Sequence, residues 1–261
     1  DGFTFNKKTN RKIAAIIPVH VFGNAALLDE LIPFCEEHNI RVVEDATESM
    51  GTRYSNSRFS GKHTGMIGDL GCLSFNGNKI MTTGGGGMIL INEERLAEKA
   101  RYLTTQAKDD PVRYIHHELG YNFRLSNVQA AIGVAQLEQM PAFLKRKREI
   151  FHQYQTALYD VDGLYITDVP EYSINNHWMN VLQIDSDVYG ENWEILMQRL
   201  EKNNIQTRPV WMLNHLQKPY KYCQNYRIER AKKLLNNSLC LPSSSNLIDD
   251  NFDQVINQLH G

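Results

Sequence analysis

Lys79 stands in the part of the sequence with the densest chemical signal. It follows a short apolar stretch ending at Ser74-Phe75, and a run of glycines, Gly84–Gly87, comes shortly after it. Glycine lets the backbone approach a ligand closely or adopt a positive φ. A lysine held among such small residues loses solvation of its charged form, so its pKa falls and its amine becomes nucleophilic. This pattern indicates a lysine that forms a Schiff base, with an exposed lysine in a glycine-rich turn as the plainer alternative.

A carboxylate, Asp45, ends a second apolar stretch, at residues 40–45. In open α/β sheets, ligands bind at the carboxyl ends of the strands. A carboxylate placed there can pair with a cationic ring nitrogen and keep it protonated. Pyridoxal 5′-phosphate (PLP) needs this, because its protonated pyridinium ring is the electron sink. The alternative is an acidic residue that only caps the following turn.

The glycines match neither common nucleotide-binding fingerprint. The sequence contains no GxxxxGK[ST] loop, and the evenly spaced Gly65, Gly68 and Gly71 do not form GxGxxG. A nucleotide-binding α/β module that uses Gly84–Gly87 for phosphate therefore has no fingerprint to support it. The cysteines are scattered singly, at positions 35, 72, 223 and 240. Because they form no CxxC pair, no metal site is predicted.

Strand and helix signals alternate through the first half of the chain. Continuous apolar stretches predict strands at residues 13–19, 40–45, 70–75 and 88–91. Apolar residues at helical spacing between Leu27 and Cys35 predict a helix, and Pro33 inside it requires a kink or a late start. Another helix is expected after Asn92. The alternation predicts an α/β fold with a mostly parallel central sheet flanked by helices.

The second half of the chain begins near Pro141. Ser126 is placed to cap one helix, and a second long helix follows Pro141 and carries the basic run Lys145–Arg148. A short charge run of this kind is typical of a solvated helix face. Mixed strand and helix signals follow. We therefore expect an α/β part at residues 1–140 and a smaller α+β part at residues 141–261.

Composition excludes several classes of partner. The 261 residues include 28 Lys+Arg and 30 Asp+Glu, which gives a net charge of −2 and no basic surplus for nucleic acid. A hydrophobic fraction of 42% is ordinary for a globular core. No apolar run reaches the ~18 residues of a membrane span, and the start lacks a signal-peptide pattern. The expectation is a cytoplasmic protein with no nucleic-acid or membrane partner.

Five segments carry a resemblance to the DegT-type, PLP-dependent nucleotide-sugar aminotransferases. In chain order they are Pro18–Gly23, Glu44–Gly51, Ser74–Lys79 with its glycine run, Gly120–Arg124 and Arg208–Tyr220. The resemblance implies the PLP-dependent transferase fold of type I, with a large PLP-binding α/β domain and a small C-terminal α+β domain. It covers the later part of such an enzyme. The family's N-terminal portion, with a Gly-Thr phosphate-binding turn, a stacking aromatic and the first strands, has no counterpart upstream of Pro18.

The resemblance also implies roles around the cofactor. Lys79 is the Schiff-base lysine, and Asp45 pairs with the pyridine nitrogen of PLP. Glu48 stands where many members have Gln, near the phenolic oxygen of the cofactor. Ser74 donates to the cofactor phosphate. Asn122 reaches the phosphate in the neighbouring subunit, which implies a homodimer with a shared site.

Three further residues are implied at the substrate. Arg124 and His215 face it, and His20 supports the site rather than reacting. For both histidines, a packed or surface role is the alternative.

The implied reaction is ping-pong transamination, in which glutamate donates an amino group to a nucleotide-linked 4-keto-6-deoxy sugar. Within the family, Thr47-Glu48 and the stretch Thr104–Pro111 resemble the branch that aminates UDP-linked 4-keto-6-deoxy-N-acetylhexosamines for surface glycans. The alternative is a truncated, non-catalytic remnant with weak or no PLP binding.

Overall fold

Strands and helices alternate in the first half of the protein and mix in the second, in a computed structural model that describes residues 2–260. The strands are β1 (Ala15–Ile16), β2 (Arg41–Asp45), β3 (Arg53–Tyr54), β4 (Leu70–Ser74), β5 (Gly87–Leu90), β6 (Leu164–Ile166), β7 (Ser173–Ile174), β8 (Asn180–Ile184), β9 (Arg208–Pro209) and β10 (Ser238–Leu241). The helices are α1 (Leu31–Glu37), α2 (Glu94–Thr104), α3 (Asn127–Ala157), α4 (Ser186–Tyr189), α5 (Trp193–Lys202), α6 (Glu229–Asn236) and α7 (Asp249–His260).

These elements form two compact units. The first extends to Leu144 and also contains Val169–Trp178. The second contains Lys145–Asp168 and the chain from Met179 onward. Residues 169–178 belong to the first unit because β7 pairs antiparallel with β3. A single domain boundary near Pro141 does not predict that residues 169–178 rejoin the first unit. The boundary expected at residue 140 stays a prediction.

The sheet of the first unit has the strand order β1-β2-β4-β5. Its first three strands are parallel, and β5 runs antiparallel to β4. The predicted α/β class with a mostly parallel sheet is confirmed. Strand β1 is shorter than the predicted stretch 13–19, because Pro18 has no N–H to donate to a ladder. Beyond it, Val19 makes only an isolated bridge to Asp45.

Two apolar clusters lie under this sheet. Val42 of β2 packs with Leu28, Ile32 and Cys35 in one of them, and Leu73 of β4 belongs to the other. Helix α1 starts at Leu31, so of the two arrangements that Pro33 allows, a kink or a late start, the structure has the late start. Proline is tolerated there because the first turn of a helix has no internal partner for its N–H.

Helix α3 corrects one prediction. Two helices were expected on either side of Pro141, but one helix of 31 residues contains that proline. Met140 and Leu144, before and after Pro141, both pack against the same apolar cluster of the first unit. This packing outweighs the loss of one backbone hydrogen bond. Within residues 2–260, no helix is both long enough and apolar enough to cross a membrane.

The second unit is built on an antiparallel sheet with the order β6-β8-β10-β9. Fully buried leucines from its strands and helices form the core, among them Leu182, Leu200 and Leu239. Tyr154 of α3 is buried against Phe252, with ring centroids 4.7 Å apart.

Lys147 contradicts the expectation of a fully solvated basic run. Its side chain is buried, and its Nζ donates to the backbone oxygen of Ser243. Burial lowers the pKa of this lysine to about 8. The other three residues of the run are exposed or half-buried. Charge spacing alone does not reveal which member of such a run faces the core.

Candidate active site

The carboxyl ends of β2 and β4 lie at the same edge of the sheet, because the two strands are parallel neighbours. Asp45 is the last residue of β2, and Ser74 is the last residue of β4. The register pairs Asp45 with Cys72, so β4 continues past that level to Ser74. This edge is where open α/β sheets bind their ligands.

The Asp45 carboxylate is half-buried and held by the turn that follows β2. Its Oδ1 accepts hydrogen bonds from the backbone N–H of Thr47 at 3.2 Å and from the Thr47 hydroxyl at 2.6 Å. Asp45 therefore does cap the turn, and it also presents a carboxylate at the sheet edge. Both bonds use Oδ1, so the cap does not require Oδ2.

Lys79 lies in the tight turn after β4, where its N–H donates to the oxygen of Asn76 at 3.0 Å. Its half-buried side chain places Nζ 4.1 Å from the centroid of the Trp178 ring. Burial lowers the pKa of the Lys79 amine, and the charges of Glu48 and Asp45 oppose that effect. Lys79 thus has the reduced solvation that the sequence pattern predicts. It also has two nearby carboxylates, which that pattern alone does not show.

Glu48 is buried, with 8% of its surface exposed. Its Oε2 accepts a hydrogen bond from the backbone N–H of Phe22 at 2.7 Å. Burial raises the pKa of Glu48 to about 6, against the hydrogen bond from Phe22 and the charge of Lys79, which both lower it. Glu48 is therefore a carboxyl group that exchanges its proton near neutral pH.

We expect Glu48→Gln to remove a pH dependence of folding stability. Folded Glu48 keeps its proton to about pH 6, whereas the unfolded chain releases it near the ordinary pKa of 4.5. Between these values the folded state binds more protons, so the free energy of unfolding falls as pH rises, by about 2 kcal/mol in all. Urea unfolding across this pH range measures the slope. The amide oxygen of glutamine can still accept from Phe22, so the variant should lose this contribution and keep its fold.

Glu98→Gln is the matched control, because Glu98 is exposed on α2. It should keep the wild-type pH profile. A Glu48→Gln profile that also follows the wild type would show that folding leaves the pKa of Glu48 unshifted.

His20 is fully buried, and both of its ring nitrogens are bound. Nε2 lies 3.0 Å from Oε2 of Glu44, and Nδ1 accepts from the N–H of Ala26 at 3.0 Å. The Glu44 carboxylate also accepts from the backbone N–H groups of Gly65, Ile67 and Gly68. Burial alone would raise the pKa of Glu44, but His20 and these N–H groups hold it below its ordinary value. Both ring nitrogens of His20 are thus bound within the protein, which is consistent with a supporting role, and its role toward substrate stays a prediction.

The other predicted site residues lie in different places. Ser74 is half-buried at the sheet edge, and its Oγ accepts from the N–H of Asn76 at 3.3 Å. Asn122 and Arg124 are exposed on the first unit. His215 belongs to the second unit, where its Nε2 is buried without a hydrogen-bond partner among the described residues. Their roles toward cofactor and substrate stay predictions.

The glycine run shapes the β4–β5 hairpin. A Cβ added at Gly87 would lie 2.4 Å from the backbone oxygen of Leu73. Gly86 has a φ of +88°, and a Cβ there would lie 2.7 Å from Leu125. At these two positions glycine is therefore required for close packing within the hairpin.

Sequence reasoning missed the neighbours of Lys79 and Glu48 that come from the distant stretch Asn175–Trp178. Trp178 lies just before β8, which begins at Asn180. The Nε1 of Trp178 donates to the oxygen of Asn78 at 2.8 Å. The polar residues before Trp178, at positions 175–177, were a signal of such contacts. Polar side chains beside a buried aromatic residue need hydrogen-bond partners elsewhere in the protein.

Residues 4–260 match a family model described as the DegT/DnrJ/EryC1/StrS aminotransferase family. EpsN of Bacillus subtilis (strain 168) is 39% identical over 251 residues, which are 94% of this chain and 62% of EpsN. The GDP-perosamine synthase of Vibrio cholerae is 31% identical over 252 residues, which are 96% of this chain and 67% of that enzyme. The chain thus spans less than two thirds of the length of EpsN.

Solved structures similar to this one include DesI and TlmJ. DesI, determined in the presence of its TDP-sugar product, superposes with a TM-score of 0.87 at 25% identity, over 97% of this chain and 62% of DesI. The aminotransferase TlmJ from Streptoalloteichus hindustanus gives 0.86 at 26% identity, over 97% of this chain and 67% of TlmJ.

Proposed function

Because the chain belongs to the DegT/DnrJ/EryC1/StrS aminotransferase family, we propose that it contributes the lysine-bearing site of a PLP-dependent sugar aminotransferase. The proposed reaction moves an amino group from glutamate to the keto group of a nucleotide-linked 4-keto-6-deoxy sugar. One observation carries the proposal. Lys79, with its pKa lowered by burial, lies at the carboxyl edge of the parallel sheet, where Asp45 and Glu48 are its charged neighbours.

The groups at this edge fit PLP by their chemistry. Lys79 offers an amine for the cofactor aldehyde, and Oδ2 of Asp45 is the oxygen that we assign to the ring N–H. The Ser74 hydroxyl at the end of β4 can donate to the phosphate. Asn122 is exposed, which suits a contact to the phosphate of a neighbouring subunit. When bound, PLP supplies an aldehyde that accepts the amino group and a ring that delocalises the resulting negative charge.

The residues of this chain would then hold and move protons. Nζ of Lys79 takes the proton from the α-carbon of the amino donor and returns it to the cofactor side, as a general base and then a general acid. A lowered pKa suits this exchange, because the amine must spend time without its proton. The Asp45 carboxylate would pair with the ring nitrogen and hold the proton there. Glu48 can exchange a proton near pH 6 beside the same amine.

The relatives support the proposed substrate class. One relative is a GDP-perosamine synthase, and DesI was solved with a TDP-sugar product. Both names concern sugars, which supports a nucleotide-linked sugar for this protein. We assign Arg124 to the substrate because it is exposed and cationic. We assign His215 as well, because its buried Nε2 lacks a partner among the described residues.

The experiment that tests this proposal is incubation with PLP, reduction with borohydride and peptide mass mapping. The pyridoxyl adduct is expected on Lys79, since its amine combines a lowered pKa with partial exposure. An adduct confined to other lysines would refute the assignment. Absence of any adduct would favour the alternative of a non-catalytic remnant.

We also propose a homodimer that contacts the surface around Asn122. Large apolar side chains are exposed between residues 112 and 137, including Leu119, Val128 and Val134. Exposed apolar groups in such number are typical of protein–protein interfaces. Light scattering at micromolar concentration should give the mass of a dimer.

Leu119→Asp should shift this dimer toward monomer. Leu119 is 91% exposed, and Tyr159 in the second unit is 92% exposed, so Tyr159→Asp is a matched control. The control should keep the wild-type mass. Equal masses for both variants would place the interface elsewhere.

A further inference from the structure

We propose that Trp178 is a positioning residue for Lys79, with its ring face receiving the amine and its N–H fixing the turn that presents the lysine. This inference rests on the proposed function of Lys79 and extends it to a residue far away in the sequence.

Trp178 contacts the lysine turn at two points. Nζ of Lys79 lies 4.1 Å from the centroid of its ring. Its Nε1 donates to the backbone oxygen of Asn78, the residue before Lys79, at 2.8 Å. Trp178 is itself 2% exposed, so it cannot leave this position without losing its packing. One rigid ring thus restrains both the backbone and the terminal amine of the lysine.

The segment before Trp178 is anchored to the turn that carries Glu48. Nδ2 of Asn176 donates to the backbone oxygens of Glu48 at 2.9 Å and of Met50 at 3.0 Å. Oδ1 of Asn176 accepts from the N–H of Trp178 at 2.9 Å. Gly23 lies so close that an added Cβ would be 2.0 Å from this Oδ1. The ring therefore has a fixed place relative to Glu48 as well as to Lys79.

The ring face distinguishes the two protonation states of the amine. An indole face carries negative charge density and attracts an ammonium group, whereas it has little attraction for a neutral amine. Trp178 should therefore hold Lys79 while it carries a proton and release it more easily after the proton has been given up. Glu48 and Asp45 also attract the charged amine. The ring adds to this attraction and fixes the direction in which the amine points.

A measurement on the cofactor-free protein tests this contact. Reductive methylation with ¹³C-formaldehyde places dimethylamine groups on accessible lysines, and Lys79→Arg identifies the Lys79 resonance by its loss. The ring current of Trp178 should shift this resonance upfield of those from other lysines. In Trp178→Leu the upfield shift should disappear, and the pKa of the Lys79 amine should fall by about half to one pH unit. Trp178→Phe should keep part of both effects.

Trp193→Leu is the matched control, because Trp193 opens helix α5 in the second unit. It should leave the Lys79 resonance unchanged. The inference is overturned if wild-type Lys79 resonates with the surface lysines, or does not methylate while they do. It is also overturned if Trp178→Leu and Trp178→Phe, shown to be folded by near-UV circular dichroism, leave its pKa at the wild-type value. The wild-type spectrum decides the matter even if Trp178→Leu does not fold.

A second readout separates this inference from the proposed function. At a pH high enough to deprotonate the Lys79 amine in both proteins, the pyridoxyl adduct on Lys79 should form about tenfold more slowly in Trp178→Leu, because the amine is less well oriented. An adduct on another lysine in the wild type would defeat the proposed function, while the methyl resonance would still report the contact. An adduct on Lys79 that forms at the wild-type rate in Trp178→Leu would defeat only the positioning role.

Discussion

Lys79→Ala is expected to lower the rate of transamination by at least about 1,000-fold in the PLP-loaded protein. The variant loses both the amine that attaches the cofactor and the base that moves the proton. Because Asp45, Glu48 and Ser74 are untouched, non-covalent PLP binding should be retained in part. Rapid mixing with glutamate, followed by the change in PLP absorbance, measures the rate.

Lys62→Ala is the matched control for this loss. Lys62 also lies over an aromatic ring, with Nζ 5.9 Å from the centroid of Phe59, but it is exposed. It should react at the wild-type rate. Added methylamine should restore part of the lost activity in Lys79→Ala, because a small free amine can replace the missing base. A Lys79→Ala protein with the wild-type rate would place the reactive amine elsewhere.

Asp45→Asn is expected to slow the half-reaction with glutamate by roughly 100-fold while PLP retention changes far less. A neutral amide cannot hold the proton on the ring nitrogen, and losing a hydrogen bond to a charged group costs about 1.5–3 kcal/mol. Each ~1.4 kcal/mol of barrier is a factor of ten in rate. Attachment to Lys79 does not need the ring proton, so the borohydride adduct should still form.

Thr47→Ala separates the charge of Asp45 from its role as a turn cap. This variant removes the 2.6 Å hydrogen bond to Oδ1 and leaves the carboxylate in place. Its half-reaction should stay within a few-fold of the wild type. If Thr47→Ala and Asp45→Asn slow the reaction equally, Asp45 acts only through the turn.

The parts of the site that could be predicted are those whose signals are local in sequence. Asp45 and Ser74 each follow a buried apolar stretch, and parallel strands bring such ends to one edge. Lys79 is separated from Ser74 by a single tight turn, so its position depends on few contacts. The alternation of strands and helices and the mostly parallel sheet followed from the same local patterns.

The parts that could not be predicted depend on contacts between distant residues. The polar run before Trp178 indicates hydrogen-bond partners but not that the Trp178 ring lies over Lys79, since that contact joins residues far apart in the sequence. His20 resembles an active-site histidine in sequence, but a buried carboxylate, Glu44, binds its ring. In α3, packing on both sides of Pro141 outweighed a strong local helix-breaking signal.

The return of residues 169–178 to the first unit bears on how the protein is made. Trp178 follows Asn78 by 100 residues, so at a synthesis rate of about 5–20 residues per second the ribosome needs roughly 5–20 s to add the ring after the lysine turn. During that interval the nascent chain carries Lys79, but its amine and turn still lack the indole and the Asn176 anchor. The lysine turn can therefore take its final arrangement only after all of the second unit's first segment, Lys145–Asp168, has also been synthesised.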